Sequence, residues 1–339
     1  MAPTRTTLAT LLLAGLLVLL VPAGAGAGVV VTRVDRPAAS VRDYWTKERM
    51  REAEPVPLPT PDQRSASAGP EAGGPPSYVT PALPGEPGST EIRRGTTVGS
   101  GRASGIATPV VDPTATDKRM HGKVFFRLVH GPERGKDFVC SGTAINSRNR
   151  SLVMTAGHCI FDWEDRGRKV TNWAFVPAYN GADARPFGTW PAKRTATTRQ
   201  WKRGENLRYD IGAAVVRRDP DGRRLQSVVG ARGIGFDQPR RQSFDILGYP
   251  VRSPFVSAFE YSCSSSYRGS DEAGGGGPAP MRASCNMTGG SSGGGWIAGG
   301  TLLSVVSYGY GPSPTSLYGP YLSKTAKKLY KRMRGSKNR

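Results

Sequence analysis

The apolar positions of this chain change texture three times. Leu8 to Val21 is one unbroken apolar run. Residues 28–117 are polar and interrupted, with a short helix expected around Tyr44 to Arg51 that Pro55 stops. Within them, residues 55–117 hold 12 Pro and 9 Gly in 63 positions, a density that points to disorder. From Gly122 the pattern becomes short apolar stretches separated by Gly, Pro, Asn and Asp. Residues 123–129, 138–144, 152–155, 173–176, 211–216, 245–247 and 301–307 each read as a strand. Many short strands over some 200 residues predict an all-β sandwich or barrel, with room for two small barrels. The chain ends in a helix beginning at Ser323, with Leu322, Ala326, Leu329, Tyr330 and Met333 on one face and Gly335 at its end.

The leading run reads as a secretory signal over residues 1–27. Arg5 precedes it, Pro22 breaks it, and Ala25-Gly26-Ala27 is a small-residue cleavage site. A signal anchor is the rival, but Pro22 and the glycines at 24, 26 and 28 argue against a stable spanning helix. No other segment is long and apolar enough to span a bilayer. The expected organisation is therefore a signal at 1–27, a largely disordered pro-region and linker at 28–117, and a folded domain at 118–339, exported to the extracellular space.

Charge sharpens this division. Residues 28–117 carry 10 basic and 11 acidic residues, net −1, whereas residues 118–339 carry 36 basic and 15 acidic, net +21. Such a field favours anionic partners: nucleic acid, anionic lipid or an anionic cell-wall polymer. No nucleic-acid module is visible, and no nucleic acid is expected as a partner. Four cysteines in an exported chain point to two disulfides, with three pairings open. Their spacings of 18, 103 and 21 intervening residues do not resemble a zinc site, and no metal is expected.

The candidate chemistry lies in three places. His158 ends the apolar strand that runs through Thr155-Ala156-Gly157. Ser292 sits in Gly290-Ser291-Ser292-Gly293-Gly294, where glycines permit a tight turn. Asp210 heads the apolar run Ile211-Gly212-Ala213-Ala214-Val215-Val216. A nucleophile, a base and an orienting acid are what serine-based acyl transfer needs. The other histidines, His121 and His130, read as surface residues, as do Asp162, Asp165 and Asp183.

These motifs resemble those of the trypsin-like serine peptidases. Thr155-Ala156-Gly157-His158-Cys159 is similar to the family's T-A-x-H-C, Gly290 to Gly294 to its G-D-S-G-G, and Asp210 onward to its D-[ILV]-[AG] strand. The resemblance implies that Ser292 is the nucleophile, His158 the base and Asp210 its orienter. It also implies that the N–H groups of Gly290 and Ser292 form an oxyanion hole. Val306-Ser307-Tyr308-Gly309 is similar to the V-S-W-G strand, so Ser307 would support the aspartate while Tyr308 and Gly309 bind substrate backbone. Cys140, in Cys140-Ser141-Gly142, would pair with Cys159. Cys263 and Cys285 would form a second bridge beside the specificity pocket. The resemblance covers residues from about Gly122 to Leu329 and lies nearest bacterial secreted peptidases of the glutamyl-endopeptidase-like group. Phe175-Val176-Pro177-Ala178-Tyr179 and Leu247-Gly248-Tyr249-Pro250 resemble blocks in that group, and residues 44–50 resemble actinobacterial pro-regions.

There are departures. Ser291 stands where an acid usually precedes the nucleophile, Gly295 where proline is common, and Ser307 where the glutamyl group carries histidine. The P1 preference is therefore open. The implied fold is two six-stranded antiparallel β-barrels with a C-terminal helix and the site between the barrels. The implied activity is that of a secreted, cofactor-free serine endopeptidase acting as a monomer on protein or peptide substrates. Two other classes stay in view: a catalytically silent homologue, and a basic exported protein whose task is to bind anionic wall polymer.

Overall fold

The computed structural model describes residues 28–61, 73–99, 101, 103–162, 168–181 and 183–336. The expected signal at 1–27 and Asp165 lie outside them. The described residues are mostly β, in two large sheets and a two-stranded ribbon of Phe161–Asp162 and Arg168–Lys169. The first closes into a six-stranded antiparallel barrel. Trp190–Thr198, Thr171–Pro177, His121–Arg127, Asp137–Ile145, Leu152–Thr155 and Gly212–Val216 follow one another, and the last pairs back onto the first. The second sheet is built on Ser243–Gly248, flanked by Tyr261–Ser270 on one side and by Gly295–Ala298 and Thr301–Val305 on the other.

Both faces of the barrel strands are apolar, and this decides what happens to the N-terminal region. Along His121–Arg127, Val124 and Phe126 point into the barrel beside Phe138, Cys140, Val153 and Trp190. Phe125, between them, points outward with Val139, Ala174 and Val176. The outward row would face water if nothing covered it. Helices Ala38–Tyr44 and Lys47–Glu52 cover it, burying Val41, Trp45 and Met50. Trp45 packs at a tilt, 5.3 Å from Phe125, and donates its indole N–H to Asn172 O at 2.6 Å.

The expectation of a largely disordered 28–117 therefore does not hold for its described residues. Val29–Arg33 adds to the barrel along Trp190–Thr198. Ser77–Val79 pairs with Gly233–Phe236, and Thr108–Pro109 with Tyr261 and Ser262. A Pro- and Gly-rich chain does not build a core, but its short stretches satisfy open sheet edges, where proline is tolerated. The single helix expected near 44–51 is two helices. Thr46 is extended and accepts from Arg49 N–H at 3.3 Å, so it caps the second helix rather than continuing the first.

The C-terminal helix Lys324–Met333 buries Ala326, Leu329, Tyr330 and Met333 against Leu152, Met154, Val215 and Phe236, and so seals the seam between the sheets. Asn149 holds its end by donating to Met333 O at 2.8 Å. No helix among the described residues is long and apolar enough to cross a membrane.

Two side-chain expectations are corrected. His121 is buried, not on the surface. Its Nδ1 lies 3.1 Å from Thr143 Oγ1 and its Nε2 3.1 Å from Arg232 Nε. Burial, with Arg232 and Lys118 nearby, holds its pKa well below 6.5. His130 and Asp183 are exposed as expected. The second disulfide is also absent: Cys140–Cys159 is bonded, whereas Cys263 and Cys285 are free thiols in contact with one another. Both pack as small apolar side chains among Phe244, Met281, Met287 and Trp296. Burial, with Cys263 beside it, pushes the Cys285 thiol far from ionisation, and without a thiolate there is no attacking sulfur.

Candidate active site

The site forms where the two sheets meet. Strand Leu152–Thr155 ends inside the barrel and delivers His158 to the seam. The Cys140–Cys159 bridge, with Cα atoms 6.2 Å apart, ties the residue after it to the neighbouring strand. Asp210 follows a one-turn 3₁₀ helix, Leu207–Tyr209, and immediately precedes the strand Gly212–Val216. That turn aims its carboxylate back at His158.

Asp210 is fully buried and accepts three hydrogen bonds. Its Oδ2 lies 2.8 Å from His158 Nδ1 and accepts from Ser307 Oγ at 2.6 Å, while its Oδ1 accepts from His158 N–H at 2.9 Å. A carboxylate so provided for fixes both the position of the imidazole and the tautomer with the proton on Nδ1. Nε2 is left facing the seam. Trp201 packs 6.1 Å from the imidazole and closes its other side.

Ser292 arrives from the second sheet. Gly290 and Gly293 have φ of +94° and +81°, a region that disfavours side chains, and there is no room for one. A Cβ on Gly293 would lie 2.1 Å from Thr155 Oγ1, and one on Gly290 2.5 Å from Tyr249 O. The loop is held by neutral bonds. Ser291 Oγ donates to Thr288 O at 2.7 Å, where the resemblance would have an acid. Ser141 joins loop to barrel: its N–H donates to Ser292 O at 2.7 Å, its Oγ donates to Gly290 O at 2.9 Å and accepts from Tyr249 N–H at 2.9 Å. Cys159 Sγ lies 3.6 Å from Ser292 O. Ser292 Oγ and His158 Nε2 are both buried, and neither has a hydrogen-bond partner. The two atoms are therefore not hydrogen-bonded to each other.

Ser307, Tyr308 and Gly309 run beside Ser292. Tyr308 is buried, stacks 4.9 Å from Tyr318 at 8°, and donates its hydroxyl to Asp271 at 2.7 Å. Tyr310 donates to the same carboxylate at 2.8 Å. Burial and the adjacent Asp271 both push these phenols up, so they remain donors. The nearest thing to a metal-ligand cluster among the described residues is Cys140, His158 and Cys159, and two of the three are spent in the disulfide.

Every residue singled out for the triad, the oxyanion hole and the cleft strand thus converges on one seam. Sequence reasoning missed Ser141, Trp201 and Asp271. Ser141 was visible only as the residue after a cysteine.

Comparison with solved structures finds proteases of this architecture. Protease Anisep from Arthrobacter nicotinovorans is 36% identical with a TM-score of 0.59, over 68% of this chain and 100% of its own. The thermostable serine protease AL20 from an extremophilic microorganism is 34% identical with a TM-score of 0.59, over 65% and 99%. A Glu endopeptidase in complex with MPD shares the fold at 16% identity and a TM-score of 0.52, over 70% and 100%. No protein-family model matches the chain, and no curated protein does.

Proposed function

The chain belongs to the bacterial serine proteases of the chymotrypsin fold and is a serine endopeptidase; on that premise we propose that Ser292, His158 and Asp210 are its catalytic triad. Protein or peptide chains are its substrates. The observation that carries the assignment is the threefold provision for Asp210, which engages His158 Nδ1 and leaves Nε2 as the imidazole nitrogen without a partner.

The chemistry follows from the geometry. His158 Nε2 takes the hydroxyl proton as Ser292 Oγ bonds to the scissile carbonyl carbon. Its positive charge is balanced by Asp210, which stays ionised. The N–H groups of Gly290 and Ser292 receive the oxyanion. His158 then returns the proton to the leaving amine, the C–N bond breaks, and water repeats the sequence on the acyl-enzyme. The acyl half of the substrate adds as a strand to Ser307–Gly309, with Tyr308 as the floor held by Asp271.

The test is labelling by a fluorophosphonate. The protein should be labelled on Ser292 once its cleft is open, and Ser292→Ala should remove labelling and peptide hydrolysis together while leaving the circular-dichroism spectrum unchanged. Labelling that persists in the folded Ser292→Ala protein removes Ser292 as nucleophile, whereas absence of labelling in the folded wild type with its cleft open restores the silent-homologue reading for this site.

A second reading concerns location. The apolar run at 8–21, the formed disulfide and the net charge of +21 support an exported protein retained by anionic cell-wall polymer. Salt-dependent retention on a polyanionic column by the folded protein tests it, and passage through that column at low salt rejects it.

A further inference from the structure

Residues 54–60, Glu-Pro-Val-Pro-Leu-Pro-Thr, cross the cleft just described. Glu54 and Pro55 lie beside Phe138 and Val139 as a short parallel strand. Val56 N–H donates to Val139 O at 3.2 Å, and Val56 O accepts from Gly290 N–H at 3.2 Å. That is the donor proposed above for the oxyanion. A Cβ on Gly289 would lie 2.8 Å from Val56 O, and one on Gly309 3.3 Å from Leu58 Cδ1. The segment alternates as an extended chain does. Val56 packs against the barrel core, Leu58 packs against the core of the second sheet, and Pro57 between them is exposed. A cleft of about 670 Å³ remains, walled on one side by this segment and on the other by His158, Trp201 and Arg252.

The direction of this chain matters. With the carbonyl of Val56 at the oxyanion donor, a productive substrate would place Glu54 and Pro55 on Ser307–Gly309. It would send Pro57 and Leu58 toward Val139. The structure has the reverse: Pro55 is at Val139 and Leu58 is at Gly309. The bond after Val56 is in addition a prolyl amide, whose nitrogen carries no hydrogen and whose ring crowds the approach. Prolines at 55, 57 and 59 also stiffen the extended form, so little entropy is lost when it is held. The anchor upstream is firm. Tyr44, Arg49 and Arg127 converge on Asp137, and Lys47 and Arg51 on Asp183.

We propose that the cleft is a receptor for proline-alternating apolar peptides threaded opposite to substrate, that residues 54–60 are its resident occupant, and that they hold the enzyme inactive without being cut. This rests on the assignment of the cleft under the proposed function. The inhibition needs no chemistry at Ser292: the segment covers Gly290 N–H and seats Val56 and Leu58 where substrate would lie.

The test compares the full chain with full-chain Val56→Asp/Leu58→Asp, which places two carboxylates in apolar seats while leaving the anchoring helices unchanged. Circular dichroism and thermal midpoints confirm that each protein is folded. If the double variant is not, the single variants Val56→Asp and Leu58→Asp take its place. The opened protein should label with fluorophosphonate at least 10-fold faster than the wild type. A synthetic Glu54–Thr60 peptide should bring the rate back down and be recovered intact by mass spectrometry. Equal and measurable labelling rates in wild type and variant overturn the proposal, and so does cleavage of the peptide after Val56, which would mean productive threading. Binding of a fluorescent Glu54–Thr60 peptide to the opened protein, read by anisotropy, is independent of the nucleophile. If that peptide binds while no protein labels, the receptor stands and the triad assignment fails; if it does not bind, the receptor is lost.

Discussion

Asp210 shows how much of this site is fixed by single atoms. Its three donors come from two chain segments, His158 and Ser307, lying 52 and 97 residues away. Asp210→Asn keeps the size but presents an amide N–H₂ that disfavours the Nδ1–H tautomer. Peptide hydrolysis should fall about 10⁴-fold with the fold intact, a loss of the size seen when a triad aspartate is amidated. Ser307→Ala removes one donor to a charged acceptor. It should cost about 10- to 100-fold in kcat/KM, measured on one peptide substrate at saturating and limiting concentrations. Away from the site, Glu260 is buried with neither carboxylate oxygen bonded, and burial pushes its pKa up to about 8 from 4.5. Between those values the folded protein keeps a proton that the unfolded chain has released, so stability falls as pH rises through that window. Lys123, also buried, acts alike in wild type and Glu260→Gln, whereas His121 shares Arg232 and Lys118 with Glu260, so the comparison is repeated in a His121→Gln background. From pH 5 to pH 7 the wild type should lose up to about 2–3 kcal/mol relative to Glu260→Gln in urea unfolding. Equal slopes would mean that Glu260 is solvated. The three residues proposed as the triad could be singled out from the sequence because each sits in its own local motif. Ser141, Asp271 and Glu260 were not, because their roles depend on partners that only the fold brings near.

At the scale of elements, legibility followed apolar periodicity. The strands at 121–127, 137–145, 152–155 and 212–216 were read within a residue or two because their runs are strongly apolar. Tyr261–Ser270 was missed. Over 261–266 its buried positions alternate with partly exposed ones, but serines fill half of the strand, and a serine says little about which face it is on. The covering role of Trp45 was equally hidden, since a tryptophan in a polar segment shows nothing about which surface it will meet. Trp45→Ala should cost about 3–5 kcal/mol, because it opens a cavity over Phe125 and removes the bond to Asn172. Urea unfolding measures it, and a loss below 1 kcal/mol would mean that the two helices are not docked in solution. The cysteines give a sharper element-scale test. Strands Tyr261–Ser270 and Met281–Ser284 hold Cys263 beside Cys285 without a bond, while Cys140–Cys159 pins the turn that carries His158 to a barrel strand. A thiol reagent should therefore find none reactive in the native protein and two after unfolding without reductant. None after unfolding would show that the second bridge forms.

The whole molecule carries a property that no single element does. Residues 118–339 bear 36 basic and 15 acidic residues, and the cleft opens on that surface with the exposed Arg252 at its wall. Net charge acts on encounter rather than on the bond-breaking step, because the field of many distant charges reaches a substrate before contact and changes little once it is bound. Screening then separates the two effects. The Debye length shrinks from about 30 Å at 0.01 M salt to about 8 Å at 0.15 M, so long-range attraction fades across that range while contacts inside the cleft do not. For the opened enzyme, kcat/KM on a peptide flanked by acidic residues should fall as salt rises over that interval. That of the same peptide flanked by lysines should rise or stay level, and kcat should be unchanged for both. The two peptides share the residues around the scissile bond, so a specificity pocket cannot produce the divergence. If both show the same salt dependence, the charge does not serve substrate capture. Retention on an anionic surface is then the use it fits, since many weak contacts to a polymer sum in a way that one cleft does not need.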